Sequence, residues 1–351
     1  MPKLSDPLHI GGCALEHRVV MAPMTRLRAD DNHVPQELML EYYTQRASTP
    51  GTLLITEATF ISEKSRGRDE NAPGIYTKEQ INGWRRTTQG VHDRGSYIFL
   101  QLWHVGRAAR SHALEKAGLE MVSSSNVPIS ENYPIPRPMS TPEILECIAS
   151  FARAAENAIE AGFDGVELHG ANGYLIDQFN QDTCNQRTDK WGGSIENRSR
   201  FCIEVTKAVC AAIGPHRTAV RLSPFSTFQG MRMKDPIPQF THIISELRPL
   251  GLAYLHLIEA SLDFAFQTWK RAGPIILAGG YNLERATRAL ENELKDESVA
   301  FAFGRHFISN PDLPFKLANN IALTPYQRDT FYKAKSPHGY IDYPFSSNGA
   351  H

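Results

Sequence analysis

The chain of 351 residues is poor in cysteine, carries no excess of either charge, and has no long apolar run. Its five cysteines (Cys13, Cys147, Cys184, Cys202, Cys210) form no C-x-x-C pair. That spacing predicts reduced, packing thiols of a reducing compartment rather than a disulfide framework. Lys plus Arg is 37 against 38 for Asp plus Glu, a net charge of −1. Nucleic-acid or polybasic membrane binding, which needs a basic face, therefore has no support in the composition. No apolar run approaches the roughly 18 residues of a membrane span. The opening MPKLSDPLHIGGCALEHR lacks an apolar signal-peptide core, and the closing FSSNGAH carries no retention or lipidation signal. A soluble cytoplasmic protein is expected. Apolar residues at 41% and charged ones at 21% describe a globular protein with an ample core.

Eight nearly continuous apolar runs are present: VVMAPMT from Val19, TLLITEA from Thr52, YIFLQLW from Tyr97, DGVELHG from Asp164, TAVRLSP from Thr218, LAYLHLI from Leu252, PIILAGG from Pro274 and VAFAFGR from Val299. Continuity rather than alternation marks parallel strands buried on both faces. Helical patterns lie between most of them, at 36–48, 77–94, 141–162, 195–213, 238–248, 283–297 and 311–320. In 141–162, Thr141 is placed to cap, with Pro142 at the first helical position. Ile144, Ile148, Phe151, Ala155 and Ala158 then form one apolar face, and Gly162 stops the helix. The gap 261–273 is too short for a full helix with its loops. Eight β–α alternations predict a single (β/α)8 TIM barrel over residues 1–351, with capping loops at the C-terminal face. A doubly wound open sheet is the alternative, but its G-x-G-x-x-G turn is absent.

Catalytic groups of such a barrel come from the C-terminal ends of its strands. In order these are Pro23-Met24-Thr25, Glu57-Ala58, Gln101 with Trp103 and His104, His169 with Asn172 and Tyr174, Arg221, Glu259, Gly279-Gly280 and Gly304-Arg305. No strand end offers a Schiff-base lysine. No carboxylate cluster, H-E-x-x-H or Cys/His set offers a metal site, so no metal is expected. Glu57 and Glu259 form a formal glycosidase pair, with a structural role favoured for each. The glycines ending strands seven and eight suit a bound phosphate, onto which Arg305 can fork. Arg221 beside a group that becomes anionic, and Gln101 against an amide edge, suit a reduced flavin.

The motifs MAPMTR (21–26), TEATFIS (56–62), LQLWHVGR (100–107), DGVELHGANGYLIDQF (164–179), RLSPF (221–225), AGGY (278–281), GRHFISNPDLP (304–314) and HGYIDYP (338–344) resemble the old yellow enzymes, flavin-dependent ene-reductases. The likeness runs from about residue 5 to 345, in order. It implies non-covalent FMN, held by Pro23, Met24, Thr25, Ala58, Gln101, Arg221, Gly279, Gly280, Gly304 and Arg305, with NADPH or NADH as hydride donor. His169 and Asn172 are implied to grip a carbonyl or nitro oxygen, and Tyr174 to protonate the α-carbon after hydride reaches the β-carbon. Trp103 and Tyr332 are implied to line the substrate space. The expected partner is a small electron-poor alkene, in a monomer or homodimer, with a ping-pong cycle.

Duller roles stand beside these: His169 as a core histidine, Arg221 against a buried carboxylate, and Glu167 paired within the barrel. His104, Arg107 and Arg110 read as a solvated loop face. Residues 107–140 are expected to cap the site, with NYPIPRPM an irregular loop. The 261–273 connection is shorter than is usual in the family, which leaves Phe264 or Phe266 to take over cover. Alternatives are a flavin-dependent isomerase or reductase of a natural-product pathway, a non-redox phosphate-binding lyase or isomerase, and a non-enzymatic flavin-binding descendant.

Overall fold

The computed structural model describes residues 3–258 and 262–347. Eight parallel strands close into a barrel: Val19–Met21, Leu53–Ile55, Tyr97–Trp103, Gly165–Gly170, Thr218–Leu222, Tyr254–Ile258, Ile275–Ala278 and Val299–Phe303. Pairing runs from Val20 opposite Leu53 round to Phe301 opposite Val19, each strand parallel to the next. Each expected strand is present, and several are trimmed where Pro23, Pro224 or Gly279-Gly280 turns the chain out of the ladder. The barrel is the fold the alternation predicted.

Side chains alternate across the barrel wall. Leu100, Leu102, Val166, Leu168, Val220, Leu222, Leu255 and Leu257 face outward, into one cluster with the surrounding helices. Phe99, Ala219, Tyr254, Ile276 and Ala300 fill the inside with Val20, Leu53 and Ile55. Burying one such aliphatic or aromatic side chain contributes about 1.5–3 kcal/mol. Because both faces are apolar, the few polar strand residues stand out by parity. Gln101, Glu167, His169, Arg221 and His256 all fall on the inward positions, and all are buried.

A hairpin of Leu8–Ile10 against Cys13–Leu15 adds Leu8, Ile10, Cys13 and Leu15 to the interior cluster. Its turn residue Gly11 has φ +56, and a Cβ there would lie 2.2 Å from the carbonyl oxygen of His216, just before the fifth strand. The hairpin therefore stops the N-terminal end of the barrel, opposite the end where the predicted site residues gather.

Helices occupy the outside, including Glu37–Arg46, Lys78–His92, Thr141–Glu160, Ile195–Ile213, Pro236–Leu247 and Leu283–Glu291. Ser140, not Thr141, is the cap of the third of these: its Oγ accepts from Glu143 N, and the Glu143 carboxylate returns to Ser140 N at 2.7 Å. Such a reciprocal box outcompetes a lone threonine one residue later. The helix expected at 311–320 is present as Leu313–Ala318, and a further short helix, Arg305–Ser309, precedes it. The short connection 261–273 still holds a two-turn helix, Asp263–Trp269. Glu259 lies outside the described residues. Among those residues the five cysteines are free, and no helix is long and apolar enough to cross a membrane.

The C-terminal segment is tied to the barrel by three buried arginines. Arg26 donates to the carbonyls of Phe331 and Gly339, and Arg28 to those of Thr330, Phe331, Ser336 and His338. Arg46 reaches Phe307, Ile308 and Tyr340. Arg46 also stacks 3.6 Å over Tyr42, whose ring lies flat on Tyr340 at 4.0 Å. A guanidinium suits this task because it presents a rigid fork of donors and a flat face at once.

Candidate active site

The loop after the first strand carries Pro23, Met24 and Thr25, all half-buried. Its backbone is fixed by Glu57, whose Oε2 accepts from Arg26 N and Leu27 N. Burial pushes the Glu57 carboxyl up to about 7, against those hydrogen bonds. Glu57 is thus a loop anchor, the structural role favoured for it. Ala58 follows it, buried beside Phe60 and Trp103. A Cβ on Gly304, at the end of the eighth strand, would lie 3.5 Å from Met24 Sδ, so the first and eighth strand ends adjoin.

Across the barrel, Gln101 sits opposite Glu167, while Arg221 is in register with both His169 and His256. Glu167 is fully buried and accepts from Gln101 Nε2 at 2.7 Å, Tyr254 OH at 3.0 Å and His256 Nδ1 at 2.7 Å. Burial opposes its charge, but the hydrogen bonds from His256 and Gln101 and the nearby Arg221 guanidinium outweigh it and hold the carboxyl below the usual range. His256 is kept neutral by burial, so its Nδ1–H is the donor and its Nε2 has no partner among the described residues. Glu167 therefore pairs within the barrel, as expected. Its partners Tyr254 and His256 were not anticipated, although their inward parity on the sixth strand marked them.

The fourth strand ends in a turn that packs three predicted residues together. Asn172 adopts φ +58, a left-handed conformation that asparagine tolerates better than most residues. Its N–H donates to Ser223 Oγ at 2.8 Å, and its carbonyl accepts from Gln229 Nε2 at 2.6 Å. Tyr174 begins the short helix Leu175–Asn180. Its ring stands edge-on to Trp103 at 5.0 Å and to His169 at 4.8 Å. Burial and Arg221 take His169 down to about 3, so its imidazole is neutral. Burial raises the Tyr174 phenol, so it too is neutral and carries its proton. Asp177 braces the turn, accepting from Gly173 N at 2.9 Å.

At strand seven, Gly279 and Gly280 take φ +109 and +74, conformations that favour glycine. The Gly280 carbonyl accepts from Arg285 Nη1 at 2.8 Å. Arg305 is exposed, with its guanidinium 5.8 Å over Tyr326. Tyr332, on the C-terminal segment, is 66% exposed.

One expectation is overturned beside the site. His104 and Arg107 are buried, not a solvated face, while Arg110 is exposed. Arg107 donates to the carbonyls of Val127, Pro128 and Gln229. Those acceptors lie far along the chain, so no local pattern announces them. Burial takes His104 down to about 3. Through Arg107, the 107–140 segment is joined to the loop after the fifth strand. Apart from the bridge of Arg137–Pro138 to Val122–Ser123, NYPIPRPM is irregular.

Two buried atoms test the fit of a flavin. Arg221 Nε and His169 Nδ1, on in-register strands, have no hydrogen-bond partner among the described residues. A buried unpaired donor costs about 1–3 kcal/mol, and a polar planar ligand at this level meets that need. Gln101, with Nε2 committed to Glu167, keeps its carbonyl oxygen and second N–H for an amide edge. The residues present fit the group.

The profile of the NADH:flavin oxidoreductase / NADH oxidase family matches residues 3–324. Chanoclavine-I aldehyde reductase fgaOx3 of Penicillium roqueforti (strain FM164) is 53% identical over 360 residues, spanning 99% of this chain and 97% of that protein. The NADP-dependent oxidoreductase lnbE of Aspergillus flavus is 51% identical, spanning 99% and 97%. Among solved structures, the old yellow enzyme from Pichia sp. AKU4542 superposes with a TM-score of 0.93 at 40% identity, covering 98% of this chain and 94% of that one.

Proposed function

From the premise that this chain belongs to the NADH:flavin oxidoreductase / NADH oxidase family, as an FMN- and NAD(P)H-dependent oxidoreductase of the old yellow enzyme type, we propose that it reduces the C=C bond of α,β-unsaturated carbonyl or nitro compounds. The observation that carries this reading is the packing of His169 and Tyr174, rings 4.8 Å apart, beside Arg221. A neutral imidazole with an N–H to give and a phenol that keeps its proton make an oxygen grip and a proton donor.

FMN would rest on Pro23, Met24, Thr25, Ala58, Gln101 and Arg221, with its phosphate at Gly279, Gly280, Gly304 and Arg305. Bound there, it supplies the hydride that reaches the β-carbon. His169 and Asn172 hold the substrate's carbonyl or nitro oxygen and take up the charge that develops on it. Tyr174 gives its proton to the α-carbon. Trp103 and Tyr332 border the substrate, and the 107–140 segment, clipped by Arg107, caps the space and limits water. That the relative fgaOx3 is a chanoclavine-I aldehyde reductase favours an aldehyde as the carbonyl group held here.

The test is a visible spectrum of the purified protein, followed by anaerobic NADPH and then a cyclic enone or enal. A flavin band that NADPH bleaches and the alkene restores is the expected result. Bleaching that no electron-poor alkene reverses sinks the ene-reductase reading and leaves the cofactor standing.

A further inference from the structure

Tyr174 has a third neighbour, from the loop after the second strand. Arg68 Cζ lies 5.9 Å from the centre of the Tyr174 ring, within the range of a cation–π contact. The guanidinium is tethered there. Its Nη1 donates to Ala108 O at 2.6 Å and to Gln229 Oε1 at 3.3 Å, and its Nε lies 3.6 Å from Asp69 Oδ2. Gln229 is the residue that also holds the Asn172 carbonyl, and it does so from a left-handed backbone of φ +58. The approach of Arg68 depends on Gly67. With φ +116, Gly67 has a conformation side chains rarely adopt, and a Cβ there would meet Leu114 Cδ2 at 2.4 Å.

We propose that Arg68 is a positioning residue for Tyr174: held by Ala108, Gln229 and Asp69, it stabilises the phenoxide that remains when Tyr174 gives up its proton. The inference rests on Tyr174 being the proton donor. In that step the phenol O–H bond breaks and its electron pair stays on the oxygen. The proton forms the new C–H bond at the α-carbon, and solvent later reprotonates the phenoxide. The two electrons of the reduction come as hydride originating in NAD(P)H.

The charges around the phenol agree with this role. Arg68, Asp69, Tyr332 and His169 face it. His169 is neutral, and Asp69 is shared between Arg68 and Arg110, at 3.6 and 3.4 Å. Asp69 thus divides its charge between two guanidiniums instead of cancelling Arg68 alone. Burial raises the phenol, and Arg68 is the largest influence acting against it. Arg68 thus offsets the cost of placing a tyrosine acid in an apolar wall of Trp103 and Phe60.

The experiment compares FMN-loaded enzymes carrying Arg68→Ala, Arg68→Lys, Tyr174→Phe and Arg68→Ala with Tyr174→Phe. Each half-reaction is followed by stopped flow with NADPH and cyclohexenone, and Tyr174 is titrated by tyrosinate absorbance, with the Tyr174→Phe curve subtracted. Arg68→Ala is expected to move the Tyr174 titration upward and slow flavin reoxidation about tenfold. Flavin content and reduction by NADPH stay unchanged. Arg68→Lys, which keeps the charge on a similar stem, should recover part of the loss and stands in if the alanine variant folds poorly. In the Tyr174→Phe background, removing Arg68 should cost nothing more. An unmoved titration, or the same slowing with and without the Tyr174 hydroxyl, overturns the inference. Should Tyr174→Phe itself leave reoxidation unchanged, the donor reading fails instead, and the titration alone then decides whether Arg68 acts on the phenol.

Discussion

Gln101 and Glu167 face each other across the third and fourth strands, joined by a 2.7 Å hydrogen bond from the amide Nε2 to a wholly buried carboxylate. That bond decides which way the amide points. With Nε2 turned to Glu167, the carbonyl of Gln101 is the end left to accept from a ligand. Glu167 also sets the His256 tautomer and lies within the field of Arg221.

Glu167→Ala should therefore harm folding and cofactor binding together. It strands Gln101, Tyr254 and His256 without their acceptor, and each buried polar group left unpaired costs about 1–3 kcal/mol. Urea unfolding of the FMN-free protein should show that loss. Glu167→Gln, which keeps the shape, should fold better and still bind FMN more weakly. Normal flavin affinity in Glu167→Gln would detach this carboxylate from the cofactor site.

Tyr174→Phe should slow alkene-driven reoxidation by roughly 10²- to 10⁴-fold, the usual worth of a placed general acid. Reduction of the flavin by NADPH and the FMN content should be unaffected. Stopped-flow traces of the separate half-reactions provide the check, and equal slowing of both would point to a packing role for the hydroxyl.

Acid should destabilise the fold through histidines buried as neutral rings. Burial takes His17 down to about 4, and His104 and His169 to about 3. The unfolded chain binds those protons more readily, so their contribution falls as pH drops from about 6.5 toward 4. Glu57 and Asp177 act in the opposite sense. Burial raises each to about 7, so the folded state holds their protons, and their contribution falls as pH rises from about 4 to 7. His17→Gln, far from the site, should flatten the pH dependence of the urea midpoint by one proton between pH 4 and 6.5. An unchanged slope would mean that His17 does not titrate on unfolding.

Arg46→Ala should loosen the C-terminal segment. It removes donors to Phe307, Ile308 and Tyr340 and the stack on Tyr42. A loss of about 3–5 kcal/mol is expected for so many buried acceptors left unpaired. Arg46→Lys should recover little, since an ammonium lacks the fork and the flat face. Limited proteolysis of the FMN-free protein should cut first within 328–343, and cleavage elsewhere would place the weak point differently.

The barrel was legible in the sequence because parallel strands buried on both faces leave continuous apolar runs, which helical segments separate. The same property let Gln101, Glu167, His169 and Arg221 stand out in an otherwise apolar ladder, while His256, which shares their inward parity, was passed over. What stayed hidden depends on partners distant along the chain. Arg107 and His104 look solvated in their own heptad of sequence, and only the carbonyls of 127, 128 and 229 reveal a buried arginine. Arg68 sits in a charged stretch, SRGRDE, that reads as surface. Its contact with Tyr174 exists only because Gly67 and the loop after the fifth strand meet there. The capping of the 141–160 helix turned on one residue, since Ser140 and Thr141 both qualify and only the returning carboxylate of Glu143 separates them.

The hairpin at the far end of the barrel has a kinetic consequence. With Leu8, Ile10, Cys13 and Leu15 wedged into the floor, the base of the barrel is filled, and the proposed function puts both reactants at the opposite end. On that reading, whatever delivers electrons and whatever receives them use the same end of the barrel in turn. Each is then an obstacle to the other: excess alkene should slow the nicotinamide's turn, and excess nicotinamide the alkene's. A stopper built from six residues at the base of the fold thus writes the order of traffic at the top.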